Sequence, residues 1–158
     1  MPRLPAADRI IAALELAPLP GEGGFFRVTS RTPAASAIYF LLTPEDFSAL
    51  HRLDRDEVWH FHAGDAAEHV QLDPASGRVI RVRMGPDVLA GDQPQVIVPA
   101  GIWQGARLDP ATPVRHGYAL FSCTMAPRWE ESGCTFGVRS ELQPAFALQA
   151  GLVAALTR

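Results

Sequence analysis

Residues 51 to 64 read HRLDRDEVWHFHAG, and four side chains in that stretch, His51, Glu57, His60 and His62, can carry protons or donate to a metal. Imidazole titrates near neutral pH, and burial beside a carboxylate moves both groups, so a His and a Glu in one apolar pocket make an acid/base pair. The same atoms are ligands for divalent ions. Alternation along a strand puts Glu57, Trp59 and Phe61 on one face and Val58, His60 and His62 on the other. With Glu57 inward, His60 and His62 face outward as a sheet or dimer contact, unless a bulge re-aims them. His62 is kept as a ligand-binding candidate for that case.

Other residues add candidates. Tyr39, in AIYFLL, is a second acid, or a core tyrosine with its hydroxyl satisfied. Arg27, the last residue of GGFFR, can clamp a carboxylate or phosphate with its planar fork while Phe25 or Phe26 stacks on a ring; its other reading is a surface pair with Glu22 or Asp56. Trp59, Phe61 and Trp103 are pocket walls or plain core, and Gln104 is a hydrogen-bonding group for a ligand. Cys123 and Cys134 are too few for a disulfide framework. Cys123 shares a strand face with Phe121 and Met125 and reads as a small buried hydrophobe.

The elements that must position these groups belong to one domain, 1–158. A chain of 158 residues with 47% hydrophobic and 20% charged residues has the profile of a single globular unit. Its 14 Pro and 13 Gly, spaced along the chain, fit many short strands joined by tight turns. A net charge of −3 offers no basic field for nucleic acid. No run reaches the roughly 20 apolar residues of a membrane span, and no secretory leader is evident. The expectation is a cytoplasmic protein with a small-molecule partner.

Helical spacing predicts a helix over 8–16, closed by Pro18, and another over 144–157. TPEDFSAL carries a helix-start signature, with Thr43 as cap, Pro44 at the first helical position and Asp46 three residues on. Strands are expected from Phe25, over SAIYFLLTP, over 57–62, in the hairpin arms AEHVQL and RVIRVRM around DPASG, and over PQVIVPAG, IWQGAR, HGYALFSCTMAP and CTFGV. About nine strands with helices at the ends imply an all-β sandwich or closed barrel. A doubly wound α/β fold is disfavoured, while an immunoglobulin-like sandwich stays open on pattern alone.

Spacing narrows the choice. The order His51, Leu53, Glu57, Gly64 resembles the first cupin motif, two histidines one residue apart followed by a glutamate and a glycine. Pro99-Ala-Gly101 followed by Gln104 resembles the second, a Pro-x-Gly turn with a histidine three residues after the glycine. GGFFR, AIYFLLTPEDFSALHRLDRDEVWHFHAGD, PQVIVPAGIWQGA and SCTMAP together look like the uncharacterised cupin family grouped with RmlC-like jelly rolls, with a core of about 21–136.

That resemblance implies a double-sheet jelly roll (a double-stranded β-helix), a ligand pocket at its open end, and a homodimer. It also carries over a ligand set, from which this chain departs. Leu53 and Gln104 stand where two histidines are expected, leaving His51, Glu57 and at most Gln104 to hold any weakly bound divalent ion. No cofactor is therefore expected. The expected activity is metal-independent isomerase or epimerase chemistry on a carbonyl-bearing sugar or acid, nucleotide sugars included, with His51, Glu57 and Tyr39 catalytic. The other readings are a non-catalytic ligand-binding cupin and a metal-dependent cupin with a reduced ligand set.

Overall fold

The computed structural model describes residues 5–158. The N-terminal helix α1 covers Pro5–Ala13, ending before the expected Leu16. Glu15 takes a left-handed φ of 54°, which turns the chain into the short strand β1, Ala17–Pro18. There follow β2 (Phe25–Arg31), β3 (Ser36–Leu42), β4 (Ser48–Leu53), β5 (Glu57–Gly64), β6 (Ala67–Leu72) and β7 (Val79–Met84). The series continues with β8 (Gln95–Val98), β9 (Trp103–Leu108), β10 (Ala119–Met125) and β11 (Cys134–Phe136), then α2 (Arg139–Ala145) and α3 (Ala150–Ala155).

Two antiparallel sheets form, one ordered β1-β2-β3-β10-β5-β8 and the other β11-β4-β9-β6-β7. From β3 onward the chain changes sheet after every strand except at the β6–β7 hairpin, and every strand but β7 pairs with one distant in sequence. That interleaving makes the molecule a two-sheet jelly roll and removes the immunoglobulin alternative. Inward residues of both sheets, among them Phe40, Leu42, Trp59, Met84, Val98 and Phe121, fill the space between them. Trp59 is the hub, with Phe40, Phe121 and His69 edge-on at 5.4, 5.3 and 5.0 Å. Such ring pairs are each worth about 0.5–1.5 kcal/mol beyond simple burial.

The five-stranded sheet is covered on its other face as well. Leu50, Val70, Leu72 and Trp103 pack there against Leu142, Phe146, Leu152, Val153 and Leu156 from the C-terminal helices. This explains why β6 is buried along its whole length. The single helix expected over 144–157 is instead two helices joined by a 3₁₀ turn, the first starting at Arg139. Pro144 lacks the N–H that continues a helix, and the break at Phe146 lets both halves turn apolar residues onto the sheet.

The helix expected from Thr43 is also absent. One turn forms, with Asp46 N–H donating to Thr43 O at 3.2 Å, and then β4 begins. Asp46 does not close a capping box. Its carboxylate accepts from the Gly24 and Phe47 backbones at 2.7 and 2.9 Å, holding the glycine-rich loop before β2 against the start of β4. Ser48 to Leu53 then alternate between the two cores, which only a strand allows.

Candidate functional site

The wide end of the jelly roll holds a cavity of about 490 Å³ between the sheets. Inward residues of β4 and β5 form its floor: His51, Leu53 and Glu57. Cys123 and Met125 of β10 and Ile38 of β3 form one wall, Phe26 and Val28 of β2 another. The loop residues Leu19, Pro20 and Glu22 close one side, and Arg31, Trp129, Glu131, Cys134 and Phe136 surround the mouth.

Each polar group on the floor has a defined orientation. His51 is 3% exposed, and its Nδ1–H donates to Ala49 O at 2.7 Å, which leaves Nε2 as the free nitrogen. Nε2 lies 3.8 Å from Glu22 Oε2, too long for a hydrogen bond. Glu22 is held from behind, where Ser48 Oγ donates to its Oε1 at 2.6 Å and Ala49 N–H to its carbonyl at 2.8 Å.

Glu57, 8% exposed, accepts at Oε2 from the Gln104 amide at 2.8 Å and the Trp59 indole N–H at 3.2 Å. The same indole N–H is shared with Gln104 Oε1 at 2.9 Å. Gln104 is thus locked at both ends of its amide. Burial pushes the Glu57 carboxyl up to about 7, opposed by His51, reinforced by the nearby Glu22 charge, and opposed again by its two N–H donors.

Beneath the floor His69 is fully buried against Trp59, and neither of its ring nitrogens has a hydrogen-bond partner. Burial pushes it down to about 4, an effect that proximity to the Gln104 amide only partly offsets. The same physics keeps both thiols protonated at neutral pH. Burial raises Cys123 well above the ordinary range and Cys134 to about 11.

The donor set does not suit a transition ion. The Gln104 oxygen is a neutral amide donor already accepting from Trp59, one Glu57 oxygen is occupied by two N–H groups, and Leu53 brings an isobutyl group where an imidazole would be needed. Among the described residues no three His, Cys, Asp or Glu side chains are grouped to hold a metal.

Of the expected site residues, the structure brings His51, Glu57 and Phe26 to the cavity, with Gln104 and Trp59 just behind Glu57. The others lie elsewhere. Tyr39 sits on the outer face of β3 under the Arg27 guanidinium, 5.7 Å from its ring centroid. Arg27 pairs with Glu15 at 3.0 Å, rather than with Glu22 or Asp56, and does not reach the cavity. Phe61 packs on Phe121 in the core at 5.8 Å, and Trp103 points into the opposite core with Arg52 over its ring at 4.8 Å.

A bulge does occur in β5, at the shift between Leu120 and Phe121 of its partner. His62 nevertheless stays outside, bonded to Ser122 Oγ at 2.9 Å, as His60 is to Thr124 Oγ1 at 3.2 Å. Sequence reasoning misses Glu22 as a site group, because it lies in a glycine-rich loop with no periodicity to orient it. Its distance in sequence from His51 also gives no sign of their proximity.

The geometry agrees with what the chain is similar to. Residues 8–137 match the family model described as "Cupin superfamily (DUF985)". A solved hypothetical protein from Leishmania major is 28% identical, with a TM-score of 0.88, over 96% of this chain and 98% of its own. A Shewanella oneidensis protein is 30% identical, with a TM-score of 0.87, over 100% of this chain and 99% of its own. A Bacillus subtilis oxalate decarboxylase, at 13% identity and a TM-score of 0.59 over 90% of this chain and 37% of its own, shares the fold alone. No curated protein matches the sequence. The chain belongs to the DUF985 family of the cupin superfamily.

Proposed function

We propose that this cupin moves a proton next to a carbonyl group in a small molecule, without a metal, as an isomerase or epimerase does. His51 Nε2 takes the proton from the carbon beside the carbonyl, and the Glu57 carboxyl gives a proton to the carbonyl oxygen. The resulting enediol becomes the isomeric product when the Glu57 carboxylate takes the proton from the other hydroxyl oxygen and His51 returns its proton to the former carbonyl carbon. Glu57 Oε2 is occupied by two N–H donors, so the proton it gives sits on Oε1. Gln104 and Trp59 are positioning residues that hold the carboxyl in place.

One observation carries this reading: an imidazole with its far nitrogen pinned and its near nitrogen free shares a cavity with a carboxyl poised near neutral pH. The absence of Arg27 from the cavity shifts the substrate away from the anionic acids its presence would have favoured. Solvent deuterium exchange into candidate ketoses and aldoses, followed by mass spectrometry, is the test. Exchange that disappears in His51→Ala and falls at least about a hundredfold in Glu57→Gln is expected. Tight binding of a sugar with no exchange in the wild type would leave a binding protein in place of an enzyme.

A further inference from the structure

Among the lining residues two carboxyl groups, Glu22 and Glu57, face the inner cavity, and a third, Glu131, stands at the mouth. Apart from His51, the basic side chain in the lining is Arg31, which is at the rim with its Nη2 already bonded to Glu130 Oε2 at 3.1 Å. An anion entering this space loses water and meets like charge, with no free guanidinium or ammonium to receive it. A neutral head can donate from a hydroxyl but brings no charge to offset the Glu22 carboxylate. Glu22 Oε2 has no hydrogen-bond donor among the described residues, and neither does the free nitrogen of His51, which is nine-tenths buried. These are acceptors converging on the cavity and lacking donors, which the ligand must then bring.

An ammonium group supplies three N–H donors and the opposite charge. The rings of Phe26, Trp129 and Phe136 around the same cavity are compatible with a cation, and the remaining walls are apolar. We propose that Glu22 binds a basic nitrogen on the ligand, so that the ligand is an organic amine with a largely apolar body. Resting on the proton-transfer reading above, the substrate class is a carbonyl compound that also carries an amine, its nitrogen against Glu22 and its carbonyl between His51 and Glu57.

Glu22 also explains the architecture of its loop. Four of the residues around it, Gly21, Gly23, Gly24 and Asp46, are devoted to turning the chain and fixing it to β4, which sets this carboxylate beside His51. In this role it is a specificity-determining residue and takes no part in the proton transfer itself.

The test is calorimetric titration of the full chain with three probes of similar size, phenethylamine, phenethyl alcohol and phenylacetate, at about pH 8 where the amine is charged. Phenethylamine is expected to bind at least about tenfold more tightly than either of the others. In Glu22→Gln that preference should vanish while affinity for the alcohol is retained, which also shows that the pocket is intact. Equal or tighter binding of phenylacetate, an amine preference that survives Glu22→Gln, or no binding of any probe at millimolar concentration each overturns the proposal. The two readings fail separately. Amine preference without deuterium exchange into sugars or amino sugars removes the catalysis and keeps the ligand class, and exchange on sugars without amine preference does the reverse.

Discussion

Glu57→Gln offers a measurement of the site that needs no substrate. The native carboxyl is raised from 4.5 to about 7. A raised carboxyl binds a proton in the folded state that the unfolded chain has already released, so its contribution favours folding below 4.5 and is lost as pH rises toward 7. At about 1.4 kcal/mol for each pH unit that separates the folded from the unfolded value, the whole effect is about 3 kcal/mol, of which about 2–3 kcal/mol falls between about pH 5 and about pH 8. The glutamine variant keeps an oxygen to accept from Trp59 and Gln104 but has nothing to ionise. Urea denaturation of both proteins at the two pH values gives a double difference in which the titrating groups not coupled to Glu57, His69 included, cancel. The variant should gain about 2–3 kcal/mol on the wild type in going from the lower to the higher pH. A double difference under about 0.5 kcal/mol would mean that Glu57 ionises as a solvated carboxylate does, and the acid assigned to it in the proposed mechanism would be lost.

Three further outcomes are expected. His69, held down at about 4 against an ordinary 6.5, has the opposite sign: its contribution is intact above 6.5 and is lost as pH falls toward 4, by about 3 kcal/mol in all. His69→Leu, which also removes two unpartnered ring nitrogens, should therefore flatten the acid limb of a stability-against-pH curve, and an unchanged limb would contradict this. Gly24→Ala should cost about 2–4 kcal/mol by thermal or urea denaturation, since φ is +71° there and the added methyl would lie 2.9 Å from Leu41 O and 2.7 Å from the Phe40 ring. Finally, restoring both missing imidazoles, Leu53→His with Gln104→His, should confer stoichiometric zinc by elemental analysis, whereas Leu53→His alone should not, because Gln104 remains tied to Glu57 and Trp59.

Much of the framework is legible in the sequence because alternation and turn residues are local signals. The DPASG hairpin, the inward face of Glu57 and Trp59, the outward His60 and His62, and the buried Cys123 all follow from period two. Thr43-Pro-Glu-Asp misleads because a cap depends on what its carboxylate finds, and Asp46 finds the Gly24 N–H, far away in sequence, before its own turn. Pro144 has the look of a helix start, yet it lies in the last turn of α2.

The site divides along the same line. His51 and Glu57 are visible through their spacing on adjoining strands. Arg27 and Tyr39 look like pocket residues because no sequence signal tells the two faces of an edge region apart. Glu22 is invisible for the opposite reason, since a loop has no period and its position depends entirely on distant partners.

One of those partners is the side chain of Arg158. It donates to Glu22 O at 3.2 Å, to Phe47 O at 3.0 Å and to the Asp46 carboxylate at 2.5 Å, while lying over the Phe47 ring. The C-terminal helices pack on the back of the five-stranded sheet, so their anchorage and the mouth of the cavity share a single guanidinium strut. Clipping the tail, or prising those helices away, would slacken a carboxylate on the far side of the sheet, making the rear surface a handle on what the pocket admits.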